Sequence, residues 1–304
     1  MDVSTENVGV FAWHRHGRMT LDQAAEIVRQ SAALGLFHKF EFDPGFLAGK
    51  VIVDAGCGGG LKTNAFALAG ADRAIGVDGS DQALTAARAL AAHLDLSNVS
   101  FRQGMLEDLN AILADVEGQI DVVVCNQVIH HCSDYRPLLD AFAKLLKPGG
   151  HLWVNFLSVG LCWGHYILKN QLTFGLGGTP EGRLQLGKSL FGWWDQRYNR
   201  QAVDEDSFFA DRYAAYYKIL FLGQMRRALE RRGFRVLGID PPVDILELVR
   251  RRHPARDGIY GPLERLAQAN PLVRAGANAA IRAKQFTEPG GGMRGLLCVK
   301  ATGS

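Results

Sequence analysis

The 304-residue sequence contains no apolar run of about 18 residues, the length a helix needs to cross a bilayer, and no Cys-x-x-Cys pair. The first absence argues against stable membrane insertion. Its five cysteines (Cys57, Cys125, Cys132, Cys162, Cys298) are odd in number and scattered, which excludes a disulfide framework and predicts free thiols in a reducing compartment. The nine histidines include His14, His16 and the adjacent His130 and His131, without paired metal-ligand spacing, so no metal is expected. Asp2 and Glu6 stand where a secretory leader would carry its basic start, and a cytoplasmic protein is the expectation. Charge of one sign is also scarce. A net charge of +3 gives no reason to expect a nucleic-acid partner. Locally, residues 243–304 carry ten Lys/Arg against five Asp/Glu, most densely at Arg250, Arg251, Arg252 and Arg256. A solvated helix end and a phosphate or membrane contact both account for that patch.

What is present is an ordinary globular composition, 47% apolar and 21% charged, long enough to bury a large core without disulfides. Short apolar runs at 51–56, 74–78, 99–104, 121–126 and 151–156 read as buried parallel strands. Between them, 61–69, 81–94, 105–117 and 137–147 have helical spacing, with Leu84, Ala87, Leu90 and Leu94 on one face of the second. Strands alternating with helices predict an α/β, Rossmann-like open sheet whose post-strand loops share one ligand-binding edge. A helix over 218–232 leads to a strand at 233–240, and 292–302 reads as a last strand antiparallel to it, giving about seven strands with helices on both faces. The implied organisation is an N-terminal helical segment or lid (1–50), a core (51–156), an aromatic-rich insertion (157–217) and a C-terminal completion of the sheet (218–304). That last part contains a basic helical insertion at 243–290.

VIVDAGCGGG at 51–60 is a strand running into Asp54-x-Gly56-x-Gly58-x-Gly60 and a helix start. Glycines there permit positive φ and close approach of a ligand to backbone N–H groups at a helix N-terminus. The nicotinamide fingerprint GxGxxG fits in neither register, since Leu61 or Thr63 falls on its third glycine. Asp54 beside the turn suits a cationic ligand better than pyrophosphate.

DAGCGGG, GVDGS (76–80), DVVVCNQVIHH (121–131) and LLKPGGHLWV (145–154) occur in one order over residues 50–155. In these motifs the chain resembles the class I S-adenosylmethionine-dependent methyltransferases of the small-molecule type. The resemblance implies S-adenosylmethionine as cofactor, with Asp54, Gly56 and Gly58 against its amino-acid part and Asp78 on the ribose hydroxyls. Cys57, Gly60, Gly79, Leu106, Asn126 and Gln127 complete the implied cofactor lining. Where the family often has Gly-Asp, this chain has Gly104-Met105. Met105 against the purine face, or Glu107 or Asp108 as acceptor, are the replacements.

The implied reaction is methyl transfer to a small-molecule acceptor, most readily a hydroxyl of an aromatic or apolar compound. His131 or His130 is the candidate general base, packing beside the cofactor being the other role for either ring. Residues 157–221 hold thirteen of the 28 aromatics, about twice an even share. Trp163, His165, Tyr166, Trp193, Trp194 and Tyr198 are the candidate acceptor contacts, with ordinary packing of a helical lid the equal alternative. A tRNA-modifying enzyme and a nonmethylating cofactor-binding protein are the alternative functions, and a monomer or homodimer is expected.

Overall fold

A computed structural model describes residues 20–34, 44–158, 220–240, 265–287 and 293–302, with isolated positions at 182, 185–186, 189 and 246. The aromatic candidates Trp163, His165, Tyr166, Trp193, Trp194 and Tyr198, the Arg250–Arg252 patch with Arg256, and the segment before Thr20 lie outside the described residues.

The elements are α1 (Leu21–Leu34), β1 (Val51–Ala55), α2 (Leu61–Leu68), β2 (Arg73–Asp78), α3 (Asp81–His93), β3 (Val99–Gln103) and β4 (Ile120–Asn126). They continue with α4 (Arg136–Leu145), β5 (Leu146–Leu157), α5 (Leu222–Glu230), β6 (Phe234–Asp240), α6 (Pro271–Thr287) and β7 (Met293–Lys300). The seven strands form one sheet in the order β3-β2-β1-β4-β5-β7-β6, with β7 antiparallel to both neighbours. The expected pairing of the last strand with 234–240 is therefore present, and β7 also fills the space beside β5. The order reverses between β1 and β4, so the crevice outside their carboxyl ends is the ligand position of this topology.

Alternation along the strands divides the core. Ile52, Val122, Val124, Trp153 and Leu297 meet Phe66 and Ala67 of α2 on one face. On the other, Val53, Val123, Cys125, Val154 and Phe156 meet Leu138 and Phe142 of α4 and Met225 and Leu229 of α5. At roughly 1.5–3 kcal/mol per fully buried large apolar side chain, these two layers fix the register of β1 and β4 and hence of everything at their carboxyl ends.

Two expectations need correction. The helix expected over 105–117 is instead a 3-10 turn (Leu106–Asp108), one α turn (Leu109–Ile112) and a second 3-10 turn (Ala114–Val116). Leu106, Leu109, Leu113 and Val116 are all buried, so the helical spacing was real. Continuity fails because the Arg102 guanidinium takes the Ile112 carbonyl at 2.8 Å, the acceptor that Val116 N–H would use in an α-helix. That N–H turns to Leu113 O instead. The strand expected over 151–156 also starts earlier, before Pro148-Gly149-Gly150. β5 begins at Leu146 opposite Ile120, and a register shift absorbs the extra residues before His151 meets Val122.

Candidate functional site

β1 delivers Asp54 to the carboxyl edge of the sheet, on the face where α1 and α2 pack. Asp54 is 3% exposed, and its Oδ2 accepts a 2.7 Å hydrogen bond from Thr63 Oγ1 in the first turn of α2. Burial pushes its carboxyl up to about 6 from 3.8, offset in part by the Thr63 hydrogen bond and the Lys62 charge and reinforced by Asp78. The folded protein therefore holds this proton more tightly than the unfolded chain does. Stability from this group is complete below about pH 4 and lost as pH rises through about 6, in all about 3 kcal/mol at neutral pH. A bound cation beside the carboxylate would reverse that loss.

Such a ligand has a place. A cavity of about 250 Å³ is lined by Asp54, Gly56, Cys57 and Asn126 from the ends of β1 and β4. Leu61 and Lys62 of α2 close one side, and Thr20, Leu21 and Ala24 at the start of α1 close another. Apolar walls next to one buried acid suit an organic cation, and the residues present fit the amino-acid end of a sulfonium nucleoside. Cys57 contributes no nucleophile, because burial and then the charges of Asp54 and Asp78 push its thiol well above its ordinary range.

Gly56, Gly58 and Gly60 take positive φ as expected and Gly56 lines the cavity, but at two of them the space a side chain would fill is taken by protein. Gly56 has φ +81°, and a Cβ there would lie 2.5 Å from Cγ2 of Val128. Gly60, the N-cap of α2 at φ +75°, would place a Cβ 2.6 Å from Ala87. At both positions protein side chains fill the space, locking the loop against the start of the β4 loop and against α3.

Asp78, at the end of β2, fixes the same loop. Its Oδ2 accepts from Gly58 N and its Oδ1 from Ser80 N, each at 2.9 Å. This bonding orients the carboxylate and ties the glycine loop to the start of α3. Gly79 follows it, and Gly104 N donates to Asp78 O, which brings the 104–106 segment alongside. Met105 caps the 3-10 turn, while the Leu106 side chain packs into the core. Glu107 accepts from both Ser133 N and Ser133 Oγ at 3.1 Å, so of the two candidate adenine acceptors it is the one tied to a protein loop.

Beyond β4, Asn126 Oδ1 accepts from Trp153 Nε1 at 3.4 Å, and Gln127 takes the left-handed region at φ 62°, its N–H bound to Asn155 O. That bend turns the chain into a 3-10 turn carrying both histidines (Ile129–His131). The rings lie 4.3 Å apart at 41° and both are buried. His130 Nδ1 accepts from Leu157 N at 3.4 Å, which assigns its proton to Nε2 and staples the turn to β5. Burial, then the neighbouring His131, lowers His130 well below the ordinary histidine range, so it stays neutral.

Of the expected cofactor residues, the cavity brings together Asp54, Gly56, Cys57 and Asn126; Asp78 and Gly58 join them through the loop hydrogen bond, and neither histidine lines this cavity. Thr20, Lys62 and Thr63 were not anticipated. Thr20 and Gln23 form a reciprocal capping box, Gln23 N to Thr20 Oγ1 and Thr20 N to Gln23 Oε1, and the Thr-x-x-Gln pattern before an apolar helix was a legible signal for it. Among the described residues no helix is long and apolar enough to cross a membrane, and no group of three metal-binding side chains occurs.

Comparison with known proteins agrees with this geometry. A family model described as a methyltransferase domain matches residues 47–172. The ubiquinone biosynthesis O-methyltransferase of Acinetobacter baylyi is 35% identical over 114 residues, 38% of this chain and 46% of that protein. The protein of the same name from Methylococcus capsulatus is 40% identical over 116 residues, with the same shares. The chain thus spans about half the length of these relatives. The fold is shared with PKMT2 from Rickettsia typhi, solved in complex with AdoHcy, at a TM-score of 0.54, with 16% identity over 90% of this chain and 52% of that one. With an acid and a glycine loop at the switch point, a second acid closing β2 and a sheet that ends antiparallel, residues 47–172 form a methyltransferase domain of the class I S-adenosylmethionine-dependent type.

Proposed function

We propose that this protein transfers a methyl group from S-adenosylmethionine to a hydroxyl of a small aromatic or apolar acceptor. The observation that carries the reading is the buried Asp54 carboxylate facing an otherwise largely apolar cavity at the β1–β4 crevice. S-adenosylmethionine, when bound, supplies a methyl group on a positively charged sulfur that leaves readily. The protein's part is then positioning, exclusion of water and removal of the acceptor's proton. Asp54 holds the cationic amino group, and Asp78, oriented by Gly58 and Ser80, is the acid that meets the ribose hydroxyls. Met105 and Leu106 border the adenine, and Asn126 and Gln127 mark the path from cofactor to acceptor.

His131 is the general base in this reading, and the state of its neighbour supports the choice. His130 is neutral, buried and engaged at Nδ1 by the Leu157 N–H, which makes it the positioning ring of the pair. Trp163, His165, Tyr166, Trp193, Trp194 and Tyr198 are the acceptor contacts of this proposal on the aromatic composition of 157–217 alone, since they lie outside the described residues. Methyl transfer to a hydroxyl is further supported by the relatives' names as O-methyltransferases. A cytoplasmic monomer or homodimer acting on a diffusible metabolite completes the proposal.

The test is formation of S-adenosylhomocysteine against a panel of hydroxylated aromatic and apolar compounds, for the native protein and for His131→Ala. The native protein should turn over at least one such acceptor, and His131→Ala should lower kcat about a hundredfold with cofactor affinity unchanged. Near-normal turnover of a folded His131→Ala protein would remove His131 as base. Turnover confined to amine or thiol acceptors would overturn the hydroxyl assignment.

A further inference from the structure

Lys62 breaks a local rule. It is the second residue of α2, where a cation opposes the helix dipole at a cost of about 0.3–1 kcal/mol, and the first turn holds no acid to compensate. Its side chain is exposed yet lines the same cavity as the buried Asp54, so the two walls carry opposite charges. An uncharged organic ligand has no use for that pair, and a simple cation would be repelled by one member of it. A zwitterion matches both. Resting on the cofactor assignment above, we propose that Lys62 reads the α-carboxylate of the bound sulfonium amino acid while Asp54 holds its ammonium, so that the two residues clamp the amino-acid end and reject ligands lacking the carboxylate.

The electrostatics agree with the placement. The Lys62 charge is felt at Asp54, where it favours the ionised carboxylate. Thr63, the next residue on α2, donates to Asp54 and holds its carboxylate against the first turn of the helix. The turn that carries the anion-reading lysine thus also positions the cation-reading acid. Lys62 acts on binding and orientation, with no part in the transfer itself.

The experiment is calorimetric titration of the full chain and of Lys62→Met with S-adenosylmethionine and with decarboxylated S-adenosylmethionine, which keeps the sulfonium, amine and nucleoside. Loss of one charge-assisted contact at an exposed rim should weaken S-adenosylmethionine about tenfold in Lys62→Met, while the decarboxylated compound changes by less than about twofold. Lys62→Arg should keep most of the discrimination. Equal weakening of both ligands, no change in either, or a native protein that binds the two equally well would overturn the proposal while leaving the cofactor assignment standing. A native protein that binds neither overturns both. Thermal unfolding of Lys62→Met at or slightly above that of the native protein confirms that the comparison is between folded proteins, as expected when an exposed cation leaves a helix N-terminus.

Discussion

Asp78→Asn should lose at least about a hundredfold in affinity for S-adenosylmethionine and about 3 kcal/mol of stability, the largest effect of any single change at the site. The reason lies in what the carboxylate already holds. Its two oxygens separately accept the N–H groups of Gly58 and Ser80 at 2.9 Å in a buried setting. An amide has only one oxygen, so one of those donors would face the NH₂ group in either orientation. Hydrogen bonds to a charged group contribute about 1.5–3 kcal/mol each, and a buried donor left unpaired costs a similar amount. Because Gly58 belongs to the glycine loop and Ser80 caps α3, the loss would loosen the loop and the start of the helix together. Chemical denaturation and titration of the same preparation check both halves. Native-like stability and affinity in Asp78→Asn would contradict this account of the loop.

Gly56→Ala should destabilise the fold by about 3 kcal/mol, and in its presence Val128→Ala should cost less than it does alone. Two separable terms make up the figure. A side chain at φ +81° costs about 1–2 kcal/mol in the left-handed region whatever surrounds it. The new Cβ, 2.5 Å from Val128 Cγ2 and 2.9 Å from its Cβ, adds an overpacking cost of about 1–3 kcal/mol. Trimming Val128 to alanine removes its two Cγ contacts but keeps its Cβ, so it relieves only part of the second. Denaturant midpoints of the two single variants and the double variant measure the coupling, and additive effects would show that Gly56 is required by the backbone alone. The cycle matters for function because Val128 sits two residues past Asn126, at the start of the turn that carries His130 and His131. Through this contact the cofactor loop and the candidate base are built as one packed unit.

The parts of this molecule that the sequence reveals are those governed by periodicity and short motifs. β1, β2 and β4 lie within a residue or two of their expected positions because a strand buried on both faces leaves an unbroken apolar run, whereas β3, expected as a buried strand, is at the sheet edge and only half-buried, with Arg102 and Gln103 in it. Asp54, Gly56 and Asn126 meet at the crevice because strand ends and sheet order determine it. Side-chain competition for backbone acceptors is not visible at that level. Nothing in the Leu106–Leu109–Leu113–Val116 spacing shows that Arg102, from another strand, takes the Ile112 carbonyl and breaks the helix. Nor does the motif DAGCGGG show that the missing side chain at Gly56 makes room for Val128. Lys62 was hidden for a different reason, since only the rotation of α2 brings it onto the cavity wall beside Asp54. The two histidines could not be ranked from sequence, and their different environments emerge only when Leu157 N–H is found on His130 Nδ1.

If the crevice binds an organic sulfonium through Asp54, that buried carboxyl ionises on binding. Calorimetric titration of the purified protein with S-adenosylmethionine, S-adenosylhomocysteine and NAD at about pH 6, in two buffers of different ionisation enthalpy, tests it most directly. Asp54, with a carboxyl near 6, is about half protonated there, so S-adenosylmethionine should bind with release of about half a proton. The release should fade toward pH 8 and be absent in Asp54→Asn, and NAD should not bind. Binding of NAD in preference to the sulfur nucleosides, or S-adenosylmethionine binding that leaves the proton balance of native and Asp54→Asn proteins identical, would contradict the account.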